Sequence, residues 1–203
     1  MRADHFEILV EEPSEAFLTN ILPNIIGATA TFDIYTHQGK PDLLRKLQSR
    51  LRAYANWLPP SWRIVVLVDC DDSDCVILKE ILEKKAREAR LTTRTTAGNN
   101  CWQLVNRIAI EELEAWYFGH WDGVRAAYPK ITATIAHQAP YRHCDRNAGG
   151  TWEAFERVMN RSGYFLGGLR KVEAANRISE HFDHSICSSP SFIALRDGFM
   201  EAI

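Results

Sequence analysis

The 203 residues carry 24 Lys and Arg against 26 Asp and Glu, a formal net charge of −2, and 46% of them are hydrophobic. That is enough chain for one α/β domain with a sizeable core, and too even a charge balance to attract nucleic acid by its global field. No stretch is low-complexity, repeated, or apolar over a length that spans a bilayer, so no membrane partner is expected.

Phe6 to Val10 reads as a first strand, and Pro13 and Ser14 open a helix whose apolar face is Phe17, Leu18, Ile21 and Leu22. Phe32 to Thr36 is a second strand, followed by a loop at Gly39–Lys40–Pro41. An amphipathic helix with Leu43, Leu44, Leu47, Leu51 and Tyr54 on its face then runs until Pro59–Pro60. Ile64 to Val68 are five consecutive apolar residues, four of them β-branched, which predicts a strand buried on both faces as in parallel sheets. Asp72 to Asp74 cap the next helix, whose apolar positions are Ile77, Leu78, Ile81, Leu82 and Ala86. Leu91 to Thr96 predicts a short strand, Ala97 to Asn100 a turn, and Trp102 to Ile110 another strand running into an acidic helix start at Glu111. Beyond a polar, irregular segment from His137 to Gly150, only helices are predicted: Trp152 to Met159, Val172 to Phe182 and Phe192 to Ala202. Alternating strands and helices predict an α/β fold, a mainly parallel, Rossmann-like sheet with helices on both faces. It occupies residues 1–203 as one domain, with a core of about 1–130 and a helical C-terminal extension of about 131–203.

Five scattered cysteines without a Cys-x-x-Cys pair, and an amino terminus without a signal peptide, predict reduced thiols in a cytoplasmic protein. Basic runs such as Arg45–Lys46, Arg50–Arg52, Lys84–Arg90 and Arg170–Lys171 read as solvated helix faces. The seven histidines show no ligand spacing and read as scattered surface or core residues. Trp102, Trp116 and Tyr117 are expected to pack helix on sheet. Arg107, inside a predicted strand, needs an acid, and Glu112 or Asp69 is the expected partner.

The chemistry concentrates where strands end. Asp69, Asp71, Asp72 and Asp74 fall within six residues, and Asp-x-Asp at the carboxyl end of a buried parallel strand lies where such folds place ligands. Carboxylates that close repel one another, which a hard divalent cation such as Mg²⁺ or Mn²⁺ relieves. Glu11, with Glu15 four residues on, follows the first strand, and Glu112 and Glu114 follow the strand that ends at Ile110. In a parallel sheet all of them converge on one edge and suit a metal site for phosphoryl transfer. Lys40 and Lys171, each beside glycines, are the candidate groups to neutralise a phosphate.

Glu11–Glu12–Pro13–Ser14–Glu15 and Val65 to Asp71 resemble the glutamate and Asp-x-Asp motifs of Toprim domains. The whole chain resembles the bacterial family Domain of unknown function 4276, regarded as Toprim-like. The resemblance is carried by Gln38 to Leu44, Val68 to Asp71, Asn106 to Gly119, Gly149 to Glu153 and Gly167 to Lys171. It implies metal binding by Glu11, Asp69 and Asp71, with Glu15 as a second acid, and relates the chain to nucleases of the overcoming-lysogenization-defect class. Glu12 departs from the usual Toprim glycine and removes backbone freedom beside the site. The implied function is a Mg²⁺- or Mn²⁺-dependent phosphodiesterase acting on nucleic acid, in phage or mobile-element defence, with an ATPase partner or as a homodimer. In it Glu11 handles a proton and Lys40 or Lys171 stabilises the phosphorus centre. The alternatives are a haloacid-dehalogenase-type phosphatase with Asp69 as nucleophile, and a non-enzymatic, metal-stabilised docking module.

Overall fold

The protein is seen in a computed structural model that describes residues 2–98, 100–147 and 150–203. Four strands, β1 (His5–Glu11), β2 (Thr31–His37), β3 (Trp62–Asp69) and β4 (Leu104–Ala109), form one sheet in the order β2-β1-β3-β4 with every pairing parallel. The alternation of side chains along each strand divides the interior in two. Phe6, Ile8, Val10, Val65, Leu67, Val105 and Ala109 join the larger apolar cluster, whereas Leu9, Ile64, Val66, Val68 and Leu104 join the smaller one. The fold is therefore α/β with both faces of the sheet covered, which is why Ile64 to Val68 needs no polar position.

The smaller cluster is closed by α2 (Gly39–Trp57) and α3 (Cys75–Glu88) through Leu43, Leu47, Leu51, Leu78 and Leu82. The larger is closed by α1 (Glu12–Ile26) and by helices from the second half of the chain. α1 starts on a proline in its first turn, where a missing N–H leaves nothing unsatisfied. α3 is capped by Asp74, whose Oδ1 accepts the Val76 and Ile77 N–H groups at 2.8 and 3.0 Å, as the acidic run predicts. The remaining helices are α4 (Arg94–Ala97), α5 (Glu114–Gly119), α6 (Trp121–Ala127), α7 (Thr151–Arg161), α8 (Lys171–Ser179) and α9 (Pro190–Ala202). α8 packs on α1 and α9 on β4, and the Ala3 N–H donates to the Ala202 carbonyl at 2.7 Å, so both ends of the chain meet on this face. Trp102, Trp116 and Tyr117 are buried in the same cluster, and the Trp116 indole donates to Ser191 Oγ at 3.0 Å. No helix among the described residues is long and apolar enough to cross a membrane.

Five expectations change. Gly39–Lys40–Pro41 is the first turn of α2 rather than a loop. Leu91 to Thr96 is not a strand: a reciprocal capping box between Thr93 and Thr96 starts α4, and only Thr93 bridges to Leu104. Threonine hydroxyls that bond nearby backbone compete with a sheet ladder. The acidic helix start moves from Glu111 to Glu114, because Glu111 sits at φ +59° and cannot be helical. Arg107 finds neither Glu112 nor Asp69. Its Nε donates to the Ala194 carbonyl of α9 at 2.8 Å, and Gly198 leaves the space the guanidinium occupies. Ile77 and Ile81 turn outward, because α3 buries Leu78, Leu82, Glu83 and Ala86 instead. Of the predicted turn at Ala97 to Asn100, Asn99 lies outside the described residues, while Asn100 N–H reaches the Ala97 carbonyl at 2.9 Å.

Adjacent positions on α3 test this orientation. Leu82 is fully buried and Ile81 is 41% exposed. Leu82→Ala is expected to lower unfolding stability by about 2–5 kcal/mol and Ile81→Ala by no more than about 0.5 kcal/mol, read from urea midpoints at constant slope. Equal losses would place both isoleucine and leucine in the core.

Candidate functional site

Because the strands are parallel, Glu11 at the end of β1, Asp69 at the end of β3 and the segment after β4 share one edge. The alternation that sorts the core also sorts these acids. Glu11 continues the Leu9 side, facing α2, and Asp69 continues the Leu67 side, facing α5 and the C-terminal helices. They meet over the rim: Glu11 Oε1 accepts the Asp69 N–H at 3.2 Å.

β3 and β4 stay bonded past their last regular residues. The Cys70 N–H donates to the Ala109 carbonyl at 2.9 Å and the Asp71 N–H to the Glu111 carbonyl at 2.7 Å. Asp71 at φ +44° and Glu111 at φ +59° face each other across this link, two non-glycine residues in the left-handed region. Such conformations are held against their local preference by surrounding contacts and gather at functional sites.

Lys40 supplies one of those contacts. Gly39, at φ +75°, turns the chain into α2, and the Lys40 ammonium reaches Asp71 Oδ2 at 2.7 Å, the Cys70 carbonyl at 2.8 Å, Ser73 Oγ at 3.0 Å and the Asp69 carbonyl at 3.3 Å. An ammonium has three donors, so Lys40 is committed to the loop. Lys171, at the start of α8, is 34% exposed and lies 3.4 Å from Glu112 Oε1, 3.8 Å from Glu114 Oε1 and 5.2 Å from the Trp152 ring.

Asp69 is where the acids converge. Burial pushes its carboxyl well above the ordinary range, and the charges of Glu11, Glu114, Asp71 and Glu112 push it further. Although the residue as a whole is partly accessible, Asp69 Oδ1 is sealed from solvent and no hydrogen bond reaches it. Burial also raises Glu11, whose bond from the Asp69 N–H works against it, and raises the buried Glu114, which Lys171 counters. Burial, with the Glu114 charge adding to it, pushes Glu112 up to about 7 against the pull of Lys171. Lys171 answers in kind: burial acts to lower its pKa, but Glu114, Glu112 and Asp69 together raise it.

Of these acids, Asp71 and Glu112 line a cleft of about 200 Å³ between Asp71–Asp72, Glu111–Glu112 and the first turn of α7, Thr151 to Glu153. Gly150, at φ +86°, leaves room there for the Glu153 carboxylate, which a Cβ would strike. Glu111 accepts the Thr151 N–H, and one oxygen each of Glu111, Glu112 and Glu153 is buried without a hydrogen bond. Acid-lined and oxygen-only, the edge has the donor chemistry of a hard divalent cation, and its orphaned oxygens fit one. Its carboxylates do not close on a single point, since Lys40 draws Asp71 outward and Lys171 holds Glu112 and Glu114. Among the described residues the tight three-ligand group is a different one, His5, Glu7 and Asp33.

Of the residues singled out from the sequence, the structure brings together Glu11, Lys40, Asp69, Asp71, Glu112, Glu114 and Lys171. Glu15 lies half-buried in the first turn of α1, and no hydrogen bond or ion pair among the described residues ties its carboxylate to the others. Sequence reasoning passed over Tyr117, whose buried hydroxyl has no partner and whose pKa is raised by burial and by Glu114, and over Glu111, Trp152 and Glu153 in the cleft. Their signal was the Glu-Glu-Leu-Glu-Ala-Trp-Tyr and Gly-Gly-Thr-Trp-Glu runs, although Gly149 of the latter lies outside the described residues.

The family model described as Domain of unknown function (DUF4276) matches residues 10–199, which include each of these site residues. No curated protein and no solved structure matches the chain.

The raised carboxyls have a sign in stability. Glu112 binds its proton up to about pH 7 when folded and only to about 4.5 otherwise, so both states are protonated below 4.5 and the contribution is zero there. Between those values the folded state holds the extra proton, and stability falls as pH rises until both states are ionised. In chelator-treated protein, urea midpoints are expected to decline from pH 5 to 8, and Glu112→Gln to flatten the decline. Superimposable curves would show that Glu112 titrates normally.

Proposed function

We propose that the chain, which belongs to the DUF4276 family, is a metal-dependent phosphodiesterase of the Toprim nuclease type. The observation that carries this reading is the Asp69 carboxylate, surrounded by four further acids at the carboxyl edge of a parallel sheet with an oxygen that no donor satisfies. Asp69, Asp71 and one of Glu11 or Glu112 hold Mg²⁺ or Mn²⁺. When bound, the ion supplies Lewis acidity at a phosphoryl oxygen and an acidified water.

The chain's own groups do the rest. Glu11, with its pKa raised by burial, is the group that exchanges a proton at the end of β1. Lys171, with long contacts to Glu112 and Glu114, is the lysine that would neutralise a phosphate beside those acids. Lys40 keeps the Asp69–Ser73 loop in its left-handed bend and acts by positioning Asp71. A net charge of −2 gives the isolated chain little pull on a polyanion. The substrate is therefore a nucleic acid presented with help, from an ATPase partner or a second copy, in cytoplasmic defence against phages or mobile elements.

Two measurements test this. Mn²⁺-dependent cleavage of DNA or RNA by the chain, with its partner where one is needed, is expected to fall by about 100-fold or more in Asp69→Ala, the scale of losing one electrostatic element of such a site. Full activity in Asp69→Ala would end the reading. Separately, Mg²⁺ or Mn²⁺ at 100 times its Kd is expected to stabilise the wild type by about 2.7 kcal/mol and Asp69→Asn by much less. Ion-dependent stabilisation without cleavage of any nucleic acid would favour the phosphatase or docking-module readings.

A further inference from the structure

The opposite end of β1 carries a second cluster, and none of its chemistry is used by the site above. The parallel register sets His5 beside Thr31 and Glu7 beside Asp33, so His5, Glu7 and Asp33 share the sheet face that α2 covers. One ligand atom from each lies within 4.8 Å of the other two. His5 Nε2 is 3.5 Å from Glu7 Oε1 and 3.8 Å from Asp33 Oδ2, both too long for a hydrogen bond.

The imidazole is oriented from behind. Its Nδ1 lies 2.7 Å from Thr31 Oγ1, and the Thr31 hydroxyl itself donates to the Asp4 carbonyl. With Nδ1 turned to the threonine, Nε2 is the ring nitrogen that faces the two carboxylates. The His5 side chain is nine-tenths buried, and no hydrogen bond reaches Nε2. Glu7 is held from its other side: Tyr54 Oη donates to Oε2 at 2.6 Å, the Tyr35 hydroxyl is a further partner of the carboxylate, and Oε1 lies toward His5. Arg50 of α2 lies nearby, and its charge acts on Tyr35 and Tyr54, the two phenols beside Glu7. Its guanidinium stacks on Tyr35 at 4.4 Å and forms no ion pair with Glu7 among the described residues.

Two carboxylates converge on one imidazole nitrogen here, Glu7 from the buried side and Asp33 from the solvent side, and like charges that close favour a cation between them. Ligand side chains pinned by a hydroxyl on the far nitrogen and a phenol on the far oxygen are the outer-shell pattern of a metal site. We propose that His5, Glu7 and Asp33 bind one divalent cation of borderline softness, of the Zn²⁺ or Co²⁺ kind. One imidazole with two carboxylates selects such ions over Mg²⁺. Asp33 is 64% exposed, so the remaining coordination position opens to solvent, and the ion clamps the edge strand β2 to β1. This site is separate from the Asp69 cluster. Glu7 and Glu11 are four strand residues apart, about 13 Å. His5 and Glu7 also precede the span matched by the family, 10–199.

The test is Co²⁺ titration of the full chain read by visible absorbance, with Zn²⁺ competition and thermal melts. One equivalent of Co²⁺ is expected to give low-symmetry d–d bands that Zn²⁺ abolishes, and Zn²⁺ to raise the melting temperature. Asp33→Asn, at an exposed position that leaves the core intact, and His5→Gln are expected to weaken Co²⁺ binding about 10-fold or more. Asp69→Asn is expected to leave it unchanged, which separates this site from the Asp69 cluster. The proposal is overturned if Asp33→Asn binds Co²⁺ like the wild type, or if no stoichiometric ion binds. It is equally overturned if nitrogen-resolved NMR shows His5 Nε2 still carrying a proton against Glu7 in excess Zn²⁺.

Discussion

The Asp69 carboxylate sits among Glu11, Asp71, Glu112 and Glu114 with one oxygen out of reach of any donor, and the geometry of the edge follows from that crowding. Like charges so close keep their protons or find cations, and this protein does some of each. Burial and mutual repulsion hold Asp69, Glu11, Glu112 and Glu114 toward the protonated form, while Lys40 and Lys171 are drawn in as counter-charges.

The two lysines offset the charge in different ways. Lys40 spends its donors on two backbone carbonyls, a hydroxyl and one carboxylate, and so binds the Asp69–Ser73 loop to the start of α2. That anchoring, with the Asp71–Glu111 link, offsets two left-handed non-glycine residues. Lys171 makes longer contacts, lies against the Trp152 face and remains a third exposed. The acidic edge therefore holds one lysine with short contacts to the loop and one with longer contacts to Glu112 and Glu114.

β1 carries an electrostatic feature at each end, Glu11 at the carboxyl edge and the His5–Glu7 pair at the amino edge. Its middle residues, Phe6, Ile8, Leu9 and Val10, are fully buried. Polar groups in such a strand survive only where the chain reaches the rim or where a partner covers them, as Tyr54 covers Glu7.

What the sequence determined by itself is the local and periodic part. The run Ile64 to Val68 specified a strand buried on both faces, Asp74 the cap of α3, and the strand-ending acids Glu11, Asp69, Asp71, Glu112 and Glu114 one shared edge once the sheet was parallel. Those readings rest on nearest neighbours and on side-chain alternation, which one chain records directly. Tertiary structure alone decided the rest. Whether Ile81 or Glu83 faces inward depends on what lies opposite α3: Asn106 of β4 hydrogen-bonds Glu83 at 3.0 Å, which tips the helix away from its own apolar periodicity. Arg107 took a carbonyl of α9, 87 residues away, in place of a nearby acid. Lys40, Lys171, Trp152 and Tyr117 reach the acidic edge, and His5 meets Asp33, through sheet order and helix packing that join distant segments. Charges and hydroxyls act through space on whatever the fold places within a few ångströms, and that proximity is not written in the spacing of residues along the chain.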